Sequence, residues 1–298
     1  MIKARFETIN DALDWADSAF TEADLFFGHG TDNAWDEAVV LLSFALNLPV
    51  DAERDVLERP LTAAESLAIE QLFQQRMERR IPAAYLTKQA WFCGLPFYVD
   101  ERVIIPRSPI AELINEQFVP WINPSKVHRI LDLCCGSACI GIACHYAFPA
   151  AKVIASDISD EALAVAAKNV EQHGCQDSVQ LIKSDLFSAI PPQKFDIIVS
   201  NPPYVDAGDL SDMPAEFRHE PTLALEAGHD GLDCVRKILK YADEYLSEQG
   251  ILIVEVGNSA AALEAAFPEL PFVWLEFENG GDGVFLIGKR DDSEKIAF

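Results

Sequence analysis

Basic residues are scarce in this sequence. Lys and Arg number 23 against 48 Asp and Glu, a formal net charge of −25 over 298 residues. A surface of that sign repels nucleic-acid phosphates and draws basic partners, so direct nucleic-acid recognition is not expected. Long apolar runs are missing too: none approaches the roughly 20 residues of a membrane span. The opening Met1-Ile2-Lys3-Ala4-Arg5-Phe6-Glu7 leads into an acidic amphipathic segment and not into the apolar stretch of a secretory leader. A soluble, cytoplasmic protein with no membrane partner is the expectation. Paired C-x-x-C motifs are absent, and the cysteines number seven. An odd count without a leader argues against a disulfide framework, and the spacing argues against a structural zinc site. Cys134, Cys135, Cys139 and Cys144 read instead as small, reduced, packed side chains, and no metal is expected. Internal repeats and low-complexity stretches are lacking.

What is present suits a large core. Half of the residues are apolar, and the length fits one large domain or two smaller ones. Residues 1–88 read as a helical domain. Ile9, Leu13, Ala16 and Phe20 share a face of a helix running from about Thr8 to Phe27. A second helix opens near Asp32 or Asn33 and carries Val39, Val40, Leu42 and Leu46 to a stop at Pro49. A third starts with the capping box Thr62-Ala63-Ala64-Glu65 and ends at Arg79-Arg80 before Pro82. Such a domain is either a substrate-recognition module or a stabilising extension. Residues 89–106 read as a β-hairpin connector, with strands Trp91–Cys93 and Phe97–Val99 about Gly94-Leu95-Pro96. Residues 107–298 form a second domain, entered by a helix from Ile110 to about Val119.

From Val127 onward strands and helices alternate, the pattern of a parallel sheet with helices on both faces. Strands are expected at 127–133, 152–156, 179–183, 195–200 and 251–256, with a terminal hairpin of 272–277 and 284–287. Ser159 caps the helix after the second strand, with Asp160 and Glu161 in its first turn and Gly174 beyond its end.

The chemistry gathers at strand ends, where open α/β sheets place their ligands. Asn201-Pro202-Pro203-Tyr204 follows the fourth strand. Two prolines in succession give stiff backbone carbonyls with no competing N–H. Asn201 adds a side-chain acceptor and Tyr204 an aromatic face, so the tetrapeptide suits a planar NH₂ group held by both hydrogens. After the first strand, Asp132 leads into a turn of small residues, Cys134-Cys135-Gly136-Ser137-Ala138, and then a helix. That is a nucleotide-type arrangement, although only Gly136 is glycine, so it is poor as a G-x-G-x-x-G motif. Asp157 ends the next strand about twenty residues on, where a carboxylate accepts from a ribose diol. Asp185 ends the third, where it can accept from an adenine amino group. A helix cap or loop residue is the plainer alternative for either. His29, flanked by glycines, reads as a turn residue, and His219-Glu220 as a loop element that closes over the acceptor or as plain loop.

These pieces resemble the class I S-adenosylmethionine-dependent methyltransferases over roughly Ser125 to Ile287. The resemblance implies an α/β, Rossmann-like domain with a mostly parallel seven-stranded sheet and a C-terminal antiparallel hairpin. It puts Asp132 and Cys134 to Ala138 beside the methionine portion of S-adenosyl-L-methionine, Asp157 on the ribose, and Asp185-Leu186 at the adenine. Asn201 counts with both cofactor and substrate. Cys134 and Ala138 stand where that family usually has glycine. With the helical domain and connector included, the chain resembles the protein-(glutamine-N5) methyltransferases along essentially its whole length. Asn201, Pro202 and Tyr204 would then be catalytic, and Asn201 to Tyr204 would bind substrate. Ile105-Pro106-Arg107-Ser108-Pro109-Ile110, Tyr98-Val99-Asp100-Glu101-Arg102, Gly28 to Asn33, Arg218-His219-Glu220-Pro221 and Glu278 to Gly283 resemble the branch that methylates large-subunit ribosomal protein L-three. The implied partner is that basic ribosomal protein, free or in a ribosome assembly intermediate. The alternatives are a release-factor glutamine methyltransferase, an adenine-N6 nucleic-acid methyltransferase, and a non-catalytic ribosome-assembly factor.

Overall fold

A computed structural model describes residues 5–49 and 54–290. Met1 to Ala4, read above as leading into an amphipathic segment, and residues 291–298 at the end of the second domain lie outside the described residues. Two compact units emerge, one of residues 1–90 with Pro214–His219, the other of Trp91–Met213 with Glu220–Phe298.

The first unit is helical. Helix α1 (Ile9–Glu22) is opened by Thr8, whose side chain accepts from the Asp11 N–H while the Asp11 carboxylate accepts from the Thr8 N–H. Its stripe of Ile9, Leu13, Ala16 and Phe20 is buried as the spacing requires. The helix stops short of the expected Phe27 because Asp24 turns left-handed (φ 50°). Helix α2 (Ala34–Leu46), capped by Asn33, buries Ala34, Ala38, Leu41 and Leu42, so the expected face through Val39 and Val40 is displaced. Helix α3 (Ala63–Arg79) has the capping box of Thr62 and Glu65, and a short α4 (Ala83–Thr87) follows Pro82.

Strands β1 (Gln89–Phe92) and β2 (Leu95–Tyr98) form a two-stranded sheet. The turn between them is Cys93-Gly94, not Gly94 to Pro96. Both turn residues have positive φ, 50° and 72°, as a two-residue hairpin that follows the strand twist demands. Helix α5 (Ile110–Asn115) ends before the expected Val119, where Gln117 and Phe118 turn left-handed and Phe118 becomes fully buried.

The rest of the second unit alternates β3 (Arg129–Leu133), α6 (Cys139–Ala147), β4 (Lys152–Asp157), α7 (Asp160–Gln172), β5 (Val179–Lys183) and β6 (Phe195–Ser200). Helix α8 (Ala207–Asp212), α9 (Asp233–Tyr245), β7 (Leu246–Glu255), α10 (Ala260–Ala266), β8 (Val273–Trp274) and β9 (Val284–Gly288) follow. The seven strands run in the order β5-β4-β3-β6-β7-β9-β8. All neighbouring pairs are parallel except those of β9, which is antiparallel to β7 and β8. This is the α/β class expected, with its terminal hairpin. Apolar clusters cover both sheet faces, one around Ile130, Ile197 and Ile253, the other around Leu131, Ile198 and Leu252. Adjacent residues of the central strands thus point into opposite cores, which is why these strands are nearly continuous in Ile, Leu and Val. The order in which strands are added reverses between β3 and β6, which leaves a crevice beyond their carboxyl ends.

Candidate active site

The loops that leave β3, β4, β5 and β6 line one cavity of about 230 Å³. Cys134 and Gly136 come from the first loop, Asp157 to Ser159 from the second, Ser184 to Leu186 from the third, and Asn201 and Pro203 from the fourth. The remaining wall comes from Arg102 to Ile104, from Pro221, Leu223, Ala224 and Glu226 of the long loop, and from Cys234 and Lys237 of α9.

The turn after β3 is left-handed three times, at Cys134 (φ 58°), Gly136 (φ 53°) and Ala138 (φ 62°). Glycine adopts this region freely, whereas a residue with a Cβ loses roughly 1–2 kcal/mol there. Cys134 and Ala138 therefore hold the glycine-type turn at a conformational cost. Asp157 fastens the turn: its Oδ2 accepts from the Gly136 N–H (2.9 Å) and its Oδ1 from the Ser159 N–H (2.9 Å). Burial pushes its carboxyl above the usual carboxylate range, and those backbone donors pull it back.

Asp132 does not line the cavity. Its side chain is fully buried, and Oδ2 accepts from the Gly141 N–H in the first turn of α6 (2.8 Å). Its Oδ1 has no hydrogen-bond partner among the described residues. Burial in an apolar core, opposed by the Gly141 bond and reinforced by the charge of Asp157, pushes the Asp132 carboxyl up to about 8. Cys135, Ser137 and Ala138 lie behind the cavity wall and are buried. Asp185 is exposed, with Lys237 Nζ 3.9 Å from its Oδ1, while Leu186 is buried on the cavity side.

In the tetrapeptide, Asn201 and Pro203 face the cavity and Pro202 is buried. Tyr204 turns away from it. The hydroxyl of Tyr204 donates to Glu255 Oε1 (2.8 Å), and its carbonyl accepts from Ser259 Oγ (2.9 Å). The ring lies on Gly257, where an added Cβ would stand 2.7 Å from its Cε2 atom. Burial foremost, then the Glu255 charge, raises the phenol well above its ordinary range, so Tyr204 is neutral.

Two residues that the sequence reading passed over also shape the site. Asn169, on α7 and fully buried, accepts from the Tyr98 N–H (2.7 Å) and donates to the carbonyls of Tyr98 (3.0 Å) and Ser137 (2.9 Å). It ties the strand β2 to the turn after β3. Glu255 is the other, since nothing in a strand-end glutamate announces a buried hub. Of the segments singled out for branch resemblance, Tyr98 to Arg102 reaches the cavity through Arg102, and Arg218 to Pro221 through Pro221. Arg102 is bidentate to Asp100 (2.8 and 2.6 Å), which holds that carboxylate well below its usual range. Glu220 accepts from the Ile105 N–H (2.9 Å) and from Arg107 Nη2 (2.7 Å). Glu112 accepts from the N–H groups of Glu278 and Asn279 (2.9 Å each). His219 and His29 belong to the helical unit: His219 Nε2 donates to the Arg79 carbonyl (2.8 Å), and the His29 ring packs 4.6 Å from that of Phe217. The seven cysteines are free thiols, and burial drives the four in and after the turn upward, Cys139 to about 12. Among the described residues no set of three His, Cys, Asp or Glu side chains is gathered for a metal, and no helix is long and apolar enough to cross a membrane.

Comparison with known proteins fits this geometry. The profile of the Methyltransferase small domain family matches residues 116–228. A ribosomal protein uL3 glutamine methyltransferase of Francisella tularensis subsp. tularensis (strain SCHU S4 / Schu 4) is 51% identical over 282 residues, 94% of this chain and 90% of that protein. The chain belongs to the ribosomal protein uL3 glutamine methyltransferase family. A second relative of the same name, from Neisseria gonorrhoeae (strain ATCC 700825 / FA 1090), is 50% identical over 285 residues, 95% of each chain. These uL3 glutamine methyltransferases span the helical unit as well as the sheet. A methyltransferase structure from Pyrococcus furiosus shares the fold, with a TM-score of 0.50, 18% identity and coverage of 72% of this chain and 98% of that one.

Proposed function

We infer that the protein transfers a methyl group from S-adenosyl-L-methionine to N5 of a glutamine side chain in ribosomal protein uL3, the L-three protein of the large subunit. The observation that carries this is one cavity at the sheet's switch point with Asp157, Leu186 and Asn201 on its wall, in a chain of this family. The residues fit such a cofactor. A carboxylate braced by two backbone N–H groups retains lone pairs for a diol, and Ile158, Leu186, Pro203 and Leu223 supply apolar walls for a ring. Bound there, S-adenosyl-L-methionine would supply a methyl group made electrophilic by its positive sulfur.

In this reading Asp157 takes the ribose, Asp185 and Leu186 flank the adenine, and Asp132 with the turn from Cys134 to Ala138 supports the methionine portion. Asn201 Oδ1 and the Pro202 carbonyl accept the two hydrogens of the glutamine NH₂. An amide nitrogen is a poor nucleophile because its lone pair is delocalised into the carbonyl. Holding both hydrogens on fixed acceptors turns the nitrogen toward the methyl group, and placement of this kind accounts for a large share of a displacement barrier. Pro203 and Tyr204 complete the substrate side. We take residues 1–88 as the substrate-recognition domain, 89–106 as the connector and 107–298 as the methyltransferase domain, acting in the cytoplasm on uL3, free or in an assembly intermediate. Mass spectrometry of ribosomal proteins and release factors from cells lacking the protein should show one methyl group missing from a uL3 glutamine. An unmodified release factor with normal uL3 would reverse the choice of substrate. Absence of S-adenosyl-L-methionine binding in calorimetry would leave only a non-catalytic assembly role.

A further inference from the structure

Glu255 ends β7, the strand paired in parallel with β6, and the last register pair is Ser200 with Val254. The next residues along the two strands are Asn201 and Glu255, side by side at the cavity end of the sheet. The Glu255 carboxylate is only 6% exposed. Oε2 accepts from Ser108 Oγ (2.5 Å) and Oε1 from the Tyr204 hydroxyl (2.8 Å). Burial foremost pushes the carboxyl above the usual carboxylate range, and Ser108, Tyr204, Arg107 and the Asn201 side chain, in that order, draw it back. A charge this deep persists only where every contact around it is a donor, and each neighbour named is one.

That fact bears on Asn201. An asparagine amide has an oxygen that accepts and a nitrogen that donates, and a half-turn about its last torsion exchanges them. Only one of the two settings serves a substrate NH₂ group: the oxygen must face the cavity. A carboxylate accepts and cannot donate, so an ionised neighbour selects the setting in which the Asn201 NH₂ points at Glu255 and Oδ1 points at the substrate. Tyr204 is fixed by the same group, its ring pressed on Gly257 and its hydroxyl on Oε1. We propose that Glu255 is the positioning residue of the tetrapeptide, setting the orientation of the Asn201 amide so that its oxygen meets the acceptor nitrogen, with Tyr204 braced against the same carboxylate. The proposal rests on the glutamine methyltransferase reading for its kinetic consequence but not for the orientation itself.

The test is Glu255→Gln, which keeps the shape and removes the charge and the acceptor-only character. With uL3 as substrate, kcat should fall about tenfold or more, while KM for the methyl donor and the melting temperature stay within about twofold and a few degrees of wild type. A group that merely supported the fold would move the melting temperature first. Independently of turnover, the Asn201 side-chain NH₂ resonance, assigned by its loss in Asn201→Ala, should shift in the ¹⁵N spectrum of Glu255→Gln. If that variant does not fold, Glu255→Asp draws the carboxylate back by one carbon and should give the same two changes. An unmoved Asn201 resonance, or a variant kcat within about twofold of wild type, overturns the proposal. Lack of uL3 methylation by wild-type protein counts against the substrate reading alone, and the resonance then decides the orientation.

Discussion

A carboxyl group with one oxygen on a helix N–H and the other without a partner among the described residues is an unusual thing to bury. Asp132 is such a group, and its carboxyl is pushed up to about 8. In the unfolded chain it titrates near 3.9, so between about pH 4 and pH 8 the folded protein holds a proton that the unfolded chain has released. Stability must therefore fall as pH rises through that window, at most by about 1.4 kcal/mol per unit from this one group. Asp132→Asn keeps an acceptor for Gly141 and removes the titration. Melting curves of the ligand-free proteins should show the variant gaining on wild type from pH 5 to pH 8. Parallel curves would show that Asp132 is ionised when folded. Glu255, also raised by burial, is common to both proteins and cancels in the difference, whereas the charge of Asp157, which helps raise Asp132, is part of the effect measured.

At Asn201 the expectation concerns rate. Asn201→Ala should abolish transfer while leaving methyl-donor binding largely intact, because Asp157 and the apolar walls remain. Calorimetry with single-turnover kinetics checks this, and near wild-type turnover would refute the clamp. Sequence reading reached the residues that a local signal marks, among them Asn201 and Pro203 of the tetrapeptide and Asp157 and Asp185 at strand ends, which the structure brings to one cavity. Glu255 and Asn169 were out of reach because their partners are distant in the chain. Ser108 lies 147 positions from Glu255, and Tyr98 lies 71 from Asn169.

Elements were legible where a local signal marks them. The capping box at Thr62 places the start of α3, and Ser159 places that of α7. Their ends were harder to read, since α1 and α5 stop at left-handed residues with no glycine to signal the break. Burial of charge was not legible at all. Arg76, on α3 and 1% exposed, bridges Glu37 of α2 (2.5 Å) and Glu216 (3.1 Å) and also donates to the Phe26 carbonyl (2.8 Å). A helical-period reading takes Glu37 and Arg76 for surface residues, yet they join helices α2 and α3 across the interior of the helical unit. Removing the cation leaves buried carboxylates without their main partner, a loss of about 3–5 kcal/mol. Arg76→Met should lower the denaturant midpoint of the helical unit accordingly. A loss under about 1 kcal/mol would mean that Arg80, 3.3 Å from Glu216, carries that carboxylate unaided.

For the molecule as a whole, the sign of its charge and the basic character expected of its substrate meet. A net charge of −25 sets up a field that speeds encounter with a cationic partner and is screened beyond about 8–10 Å at 0.1–0.15 M salt. Such steering acts on association, so kcat/KM for isolated uL3 should fall steeply as salt rises from about 0.02 to 0.3 M, while kcat at saturating substrate stays nearly constant. Donor affinity is measured over the same range and donor kept saturating, because its positive sulfur is drawn by the same field. The same acidic balance disfavours a nucleic acid as the approaching partner, because a net-negative surface repels phosphates. If kcat/KM were flat in salt, the charge would serve solubility alone, and recognition of uL3 would have to rest on short-range contacts.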